Sequence, residues 1–297
     1  MLSVDPKDIP VPKLHGYLLG AVGPRPIAFA STIDKNGNPN LAPFSFFNVF
    51  SANPPILIFS PARSGRTNTT KHTHDNIKEV AEVVINIVTH DMVHQTSLAS
   101  AEYPKGVNEF TKSGFTPVAS VKVKPFRVKE SPVQLECKVN QVIELGPNGG
   151  AGNLVICEII MMHINENVLD AQGVIDQQKI DLVARMGGNW YCRAHGNALF
   201  EVAKPLTQIG IGVDGLPASV RQSKFLTGNH LGMLGNVESL PDETEVNEYK
   251  LTELSDLFVS KGATPVSIEE NLHKRAAALL DKGEVTAAWK TLLAWNG

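Results

Sequence analysis

The chain has 297 residues, enough for one large domain or for a domain with an appendage. Apolar residues make up 42% and charged residues 19%, an ordinary globular balance that argues against long disordered stretches. With 27 basic residues against 30 acidic ones the formal net charge is −3, which speaks against a dedicated nucleic-acid binder.

The opening MLSVDPKDIPVPKL lacks a basic region followed by an apolar core, so it does not read as a signal peptide. These Pro-rich residues predict an extended arm. Ile27 to Ile33 is a short apolar run of strand length. Asn36-Gly37 is a strong hairpin signal, and Asn40 to Phe47 is the returning strand, demoted to an edge or bulge by Pro43. Ile56 to Phe59 is a third strand. The polar stretch Pro61 to Thr70 feeds a helix over Lys71 to Glu79. Glu82 to Val88 is β-branched and predicts a buried strand. Asp91 to Ala101 predicts a helix with Thr89 as its cap, and Asn108 to Ser113 a helical turn. Further strands are expected over Val121 to Val123, Phe126 to Lys129, Leu135 to Leu145 and Leu154 to Ile164. Strands this dense, without regular helices between them, predict a mainly β antiparallel barrel with peripheral helices.

Composition shifts after Asn197. Leu206 to Gly235 is Gly-rich, Ser239 to Asn247 is acidic, and Ser267 marks a helix start. The last ~45 residues read as one or two helices packed on the barrel or on a partner subunit. The domain boundaries expected are 1–200 for the barrel and 201–297 for a C-terminal extension, loop-rich and then helical. No apolar run approaches the ~20 residues of a membrane span. Cys137, Cys157 and Cys192 form no CxxC pair and read as free thiols of a reducing compartment, which predicts a cytoplasmic protein with no membrane contact.

Two segments group residues with ligand chemistry. Gly23-Pro24-Arg25-Pro26 brings a guanidinium to a strand entry, and Ala42 to Asn48 follows as a Pro-distorted strand with exposed backbone. Arg63 to Thr73 then packs cations and hydroxyls ahead of a helix N-terminus, where free N–H groups favour a phosphate. FMN asks for both: a flat apolar slot for its ring and donors for its phosphate. Taken singly, the first segment is equally an ordinary strand entry and the second a solvated, cap-rich loop.

The combination is more specific. GPRPIAFASTIDKNGNPNLAPFSFFN, NPPILIFS, KHTHDNI, EVVINIV, the Gly106-Val107-Asn108-Glu109-Phe110 turn, SPVQLECKV, LVICEIIMMHI and RMGGNWYCR together resemble the flavin reductase-like proteins, FMN-binding split β-barrels related to flavoredoxin. The resemblance covers about residues 10 to 200. It implies a homodimer with FMN near the subunit interface. It implies that Arg25 and Pro26 flank the flavin, that Thr32 and Ser45 lie near the ribityl chain and phosphate, and that Asn48 lies near the ring or its chain. Phe44 and Phe46 belong to the same wall. Ser60, Arg66, Lys71 and Thr73 would serve the phosphate. His72 departs from the Lys-Asp-Thr that the family often has there.

Arg185-Met186-Gly187-Gly188-Asn189-Trp190-Tyr191 matches the family's Arg-x-Gly-Gly-x-x-Tyr segment. Arg185, Gly187, Gly188 and Tyr191 are expected on the open face of the flavin; the alternative is a tight turn with a core tyrosine. Leu206 to Gly235 resembles the extension of a longer branch of the family, with Arg221 and Asn229 as substrate-side candidates; a purely structural brace is the alternative. His163 is a candidate proton donor or nicotinamide contact, or else a satisfied buried histidine. His72, His74, His90 and His94 complete no recognised metal spacing, so no metal is expected. The function expected is an NAD(P)H-dependent flavin reductase passing hydride from nicotinamide to FMN, with Tyr191 and His163 the side chains nearest to a catalytic role. The alternatives are an FMN-holding electron carrier without NAD(P)H activity, and a flavin-dependent oxidase or oxygenase acting on a small substrate.

Overall fold

Ala28–Ile33 (β1) is buried along its whole length, which is why AFASTI shows no polar–apolar alternation. The computed structural model describes residues 1–205, 209–259 and 264–295. It divides into two compact units, Met1–Phe200 and Glu201–Gly297.

In the first unit the Asn36-Gly37 turn, with Gly37 at φ 86°, returns β1 into Pro39–Phe44 (β2), pairing Ala28 with Phe44. Phe47–Ala52 (β3) and Pro55–Phe59 (β4) form the next hairpin, with a register shift between Val49 and Ser51. Glu82–Ile87 (β5) follows, then the short pair Pro117–Val118 (β6) and Arg127–Val128 (β7). Val133–Glu144 (β8) and Asn153–Ile164 (β9) are the long central hairpin, and Leu182–Arg185 (β10) and Tyr191–Ala194 (β11) a small one. Seven strands make one antiparallel sheet in the order β2-β1-β5-β8-β9-β4-β3. Its two edges, β2 and β3, are consecutive in the chain, with only Ser45 and Phe46 between them. The step from Phe44 to Phe47 spans at most about 10 Å. The sheet therefore curls until its edges approach there, giving the split barrel expected.

Leu57, Phe59, Val83, Ile85, Leu135 and Val155 fill the barrel, together with the free thiols Cys137 and Cys157. A second cluster around Phe29, Leu41, Met92, Phe110 and Phe115 covers the opposite face of β1 and β2. His72–Glu79 (α2), Val93–Leu98 (α3) and Glu109–Ser113 (α4) are the peripheral helices packed on those strands.

Four local expectations are corrected. The N-terminal arm is not extended but carries a helix, Val11–Ala21 (α1). Its prolines sit at the cap and in the first turn, where a missing N–H costs nothing. The strand expected over Asn40 to Phe47 breaks at Ser45-Phe46 and restarts in a new direction. Val121 to Val123 is no strand: the Val121 and Lys122 amides donate to the buried Glu136 carboxylate at 2.8 and 2.6 Å instead of to a ladder. The helix expected over Asp91 to Ala101 is a 3₁₀ turn at His90–Met92 followed by α3.

The described elements of the second unit are helices, Ala218–Arg221 (α5), Gly228–Gly235 (α6), Glu243–Glu253 (α7), Ser255–Val259 (α8), Pro265–Leu280 (α9) and Val285–Leu293 (α10), and its other described residues, including those before Ala218, are loops and turns. The acidic stretch from Ser239 contains the start of α7, capped by Asp242. Ser267 is not the cap of α9 but its third residue, closing a capping box with Thr264. Trp289, 1% exposed, anchors the helical core and donates its indole N–H to Leu234 O at 3.1 Å. Leu206 and Gly297, ends of two segments read from sequence, lie outside the described residues. No described helix is long and apolar enough to cross a membrane.

Leu57 is fully buried in the barrel core. Leu57→Ala is expected to lower the stability of the first unit by about 2–5 kcal/mol, read as a shift in the urea midpoint. A midpoint unchanged within error would contradict this packing.

Candidate functional site

Beside β2 and the Ser45-Phe46 joint lies a cavity of about 440 Å³, within the usual range for cofactor sites. One wall is β2 and its exit, with Ala42, Pro43, Phe44, Ser45 and Phe46. The opposite end is built from Thr69 to Thr73 at the start of α2 and from the segment Ala99 to Tyr103. His15 and Leu19 of α1 and Arg185 and Met186 of the β10–β11 hairpin complete it.

Arg25 holds these parts together. It is 6% exposed, and its guanidinium donates to Leu19 O at 2.8 Å, to Val22 O and to Met186 O at 2.9 Å, with Nε 3.5 Å from Ser45 Oγ. Its backbone bridges Arg185 in both directions. One side chain thus ties the end of α1, the β2–β3 joint and the β10–β11 hairpin. Burial, and then the neighbouring Arg185 charge, lower its pKa. Arg25 touches the cavity, but four of its five N–H donors are directed at the protein, so it positions the wall.

The hydroxyls are oriented by amides. Asn40 Nδ2 donates to Thr73 Oγ1 at 2.9 Å and to Thr32 Oγ1 at 3.4 Å, and Asn76 also donates to Thr32 at 3.2 Å. Thr73 therefore accepts from behind and has its own proton for the cavity. Ser60 Oγ likewise accepts from Asn153 N at 3.0 Å. Gly152 makes room for it: a Cβ there would stand 2.9 Å from Ser60 Oγ. Lys71 is the N-cap residue of α2, and no side chain caps that end, so its first amides are open. Lys71 Nζ lies 2.9 Å from Glu102 Oε1, and Arg66 Nη2 lies 2.9 Å from Glu102 Oε2. Both cations hold Glu102 below the usual carboxylate range. An apolar slot ending in oriented hydroxyls, a lysine and an uncapped helix start fits a planar ring bearing a phosphate.

Of the residues singled out from sequence, Phe44, Ser45, Phe46, Ser60, Lys71, Thr73, Arg25 and Arg185 line this cavity. Pro26 is not in its lining. Thr32 is fully buried one layer back, acting through Asn40 and Asn76. Arg66 is exposed and reaches the site only through Glu102. Asn48 is exposed on β3, its side chain accepting from Val49 N. Gly187, Gly188 and Tyr191 border a separate shallow depression beside Met186. Gly187 permits close approach to Gly20 of α1, and the Arg185 guanidinium lies 4.6 Å from the Tyr191 ring centre. His163, away from the cavity, bonds Glu136 at 2.7 Å. Arg221 and Asn229 belong to the second unit, where the Arg221 guanidinium donates to Asp214 O and Asn229 is exposed on α6.

Sequence reasoning missed Asn40, Glu102 and Glu109. Asn40 follows the polar turn Asn36-Gly37-Asn38-Pro39, so nothing in the sequence set it apart from a turn residue. Glu109 is 5% exposed in the lining and accepts from Leu41 N at 3.1 Å. Among the described residues His90, Asp91 and Asp181 bring metal-ligand atoms together, but Arg193 already grips Asp181 with two 2.7 Å bonds.

Two outcomes follow from this geometry. Arg25→Lys keeps the charge and loses the fork, so stability should fall by about 2–4 kcal/mol in thermal or urea unfolding. Stability within 0.5 kcal/mol of the parent, an order-of-magnitude threshold, would remove Arg25 as the tie. For Glu109, burial raises the carboxyl pKa above its ordinary 4.5, against the bonds from its own and the Leu41 amide. A raised carboxyl binds its proton more tightly folded than unfolded. The ionised form therefore costs stability above the folded pKa, and the cost fades as pH falls toward the unfolded value. Glu109→Gln should raise the unfolding midpoint near about pH 8 and give no gain near about pH 4. A gain independent of pH would contradict this.

The flavin reductase-like domain model matches residues 21–181, more than half of the chain. A protein of Aquifex aeolicus is 35% identical over 189 residues, covering 64% of this chain and 94% of that one. Nitrilotriacetate monooxygenase component B from Bacillus cereus superposes with a TM-score of 0.63 at 29% identity, over 68% of this chain and 98% of its own. A split barrel domain protein from Shewanella frigidimarina gives 0.57 at 28% identity, over 67% and 95%. The likeness falls on the unit that holds the cavity, and the chain belongs to the flavin reductase-like family.

Proposed function

We propose that the chain is an FMN-binding, NAD(P)H-dependent flavin reductase that works as a cytoplasmic homodimer. Family membership makes it a flavin-related oxidoreductase; the particular flavin, the nicotinamide donor and the assembly belong to this proposal. The observation that carries it is one cavity joining an apolar β2 wall to hydroxyls that accept hydrogen bonds from the protein behind them.

In this reading Ala42, Pro43 and Phe44 form the face against which the ring lies. Thr73 and Ser60 donate to the phosphate, Lys71 supplies charge, and the first amides of α2 add donors. Arg25 stays behind the wall and keeps the joint in place. Arg185, beside Tyr191, sets the side on which nicotinamide would stack. Bound flavin supplies the redox chemistry, and the chain's own contribution is binding, orientation and exclusion of water. A second copy is supported by the edge position of β3, where Asn48, Val49 and Phe50 are exposed.

Purified protein with FMN should lose its visible flavin absorbance on anaerobic addition of NADH or NADPH. No bleaching with either overturns the reductase reading. FMN that stays bound through gel filtration yet is reduced by neither nucleotide is the behaviour of an electron carrier.

A further inference from the structure

Among the cations lining the cavity, two are committed to backbone and ring contacts. Arg25 donates to three carbonyls, and Arg185 donates to Trp190 O and stacks on Tyr191. Lys71 is different: its recorded partner is a carboxylate that itself lines the cavity. Glu102 places one oxygen on Lys71 and the other on Arg66, each at 2.9 Å. A phosphate in the cavity would compete with that carboxylate for Lys71.

We propose that Glu102 is a built-in competitor for the flavin phosphate: it occupies Lys71 and Arg66 until a phosphate displaces it, and so keeps FMN exchangeable. This rests on the reading of the cavity as an FMN site.

Three observations support displacement over permanent pairing. First, the side chains of Arg66 and Glu102 are 82% and 50% exposed, and ion pairs so exposed are weak and easily broken. Second, Glu102 lies in the segment between α3 and α4, whose recorded backbone bonds are local. Ala99 N donates to Gln95 O, Ala101 N to Leu98 O and Tyr103 N to Ala101 O. Moving the Glu102 side chain breaks none of these bonds. Third, charge at this end is mismatched while Glu102 stays. Lys71 and Arg66 minus one carboxylate leave a single positive charge, against about −1.5 to −2 on a phosphate monoester at neutral pH. An enzyme that must release its flavin gains from such a deficit, whereas a permanent holder of flavin loses by it.

FMN and riboflavin share ring and ribityl chain and differ in the phosphate, so together they isolate the effect. Binding of each is titrated by flavin fluorescence in the parent protein and in Glu102→Gln. The variant should bind FMN about three- to tenfold more tightly, with slower release. Riboflavin affinity should stay unchanged. In Glu102→Gln combined with Lys71→Met the FMN gain should shrink, because the competitor acts through that lysine. FMN affinity that does not rise, or a rise shared equally by riboflavin, overturns the role of Glu102 while leaving the flavin site standing. A parent protein that binds neither flavin removes the site and this role with it.

Discussion

Everything in the first unit follows from a two-residue joint. Because β2 and β3 are the opposite edges of one sheet and only Ser45 and Phe46 separate them, the sheet must curl until its edges nearly meet. They do not pair, and β2 with the joint lines the cavity. An open edge, ordinarily a hazard, here borders a cavity instead. Arg25 stabilises the arrangement from behind. Its fork satisfies carbonyls at the end of α1 and in the β10–β11 hairpin that would otherwise be left without donors.

The polar end of the cavity shows a division of labour between layers. Thr73 and Ser60 face the ligand space, while Asn40 and Asn153 decide which way their protons point. Thr32 sits deeper still and receives both Asn40 and Asn76. A hydroxyl held this way loses little freedom when it meets an anion. The charges are arranged less tightly than the hydroxyls, with Lys71, Arg66 and Glu102 all at the surface.

Much of this was legible in the sequence, and the failures have physical reasons. The strands with apolar runs and clear turn punctuation, β1, β4, β5, β8 and β9, could be placed within a residue or two. The break at Ser45-Phe46 could not, because FSFF reads as continuous strand and only the topology demands a corner. α1 was hidden by its prolines, which suggest extension until they are seen to fall in a first turn. Val121 to Val123 has strand composition, yet a buried carboxylate distant in sequence captures its amides. For the site, motif likeness pointed to residues of β2 and of the α2 start that line one cavity. It could not separate Thr73, which lines the cavity, from Thr32, which supports it. Nor could it show that most of the donors of Arg25 are spent on the protein itself.

The pairing of β4 with β9 also bears on how the chain is made. Leu57 lies opposite Cys157, 100 residues later. As the chain leaves the ribosome, the β3–β4 hairpin must wait for β9 before its sheet can be completed. Its apolar face depends meanwhile on β1, β2 and the early helices for cover. Closing so long a loop slows assembly, while the neighbouring helices α9 and α10 of the second unit meet across a short turn. The helical unit is therefore the one suited to organise fastest, and the barrel the slower of the two.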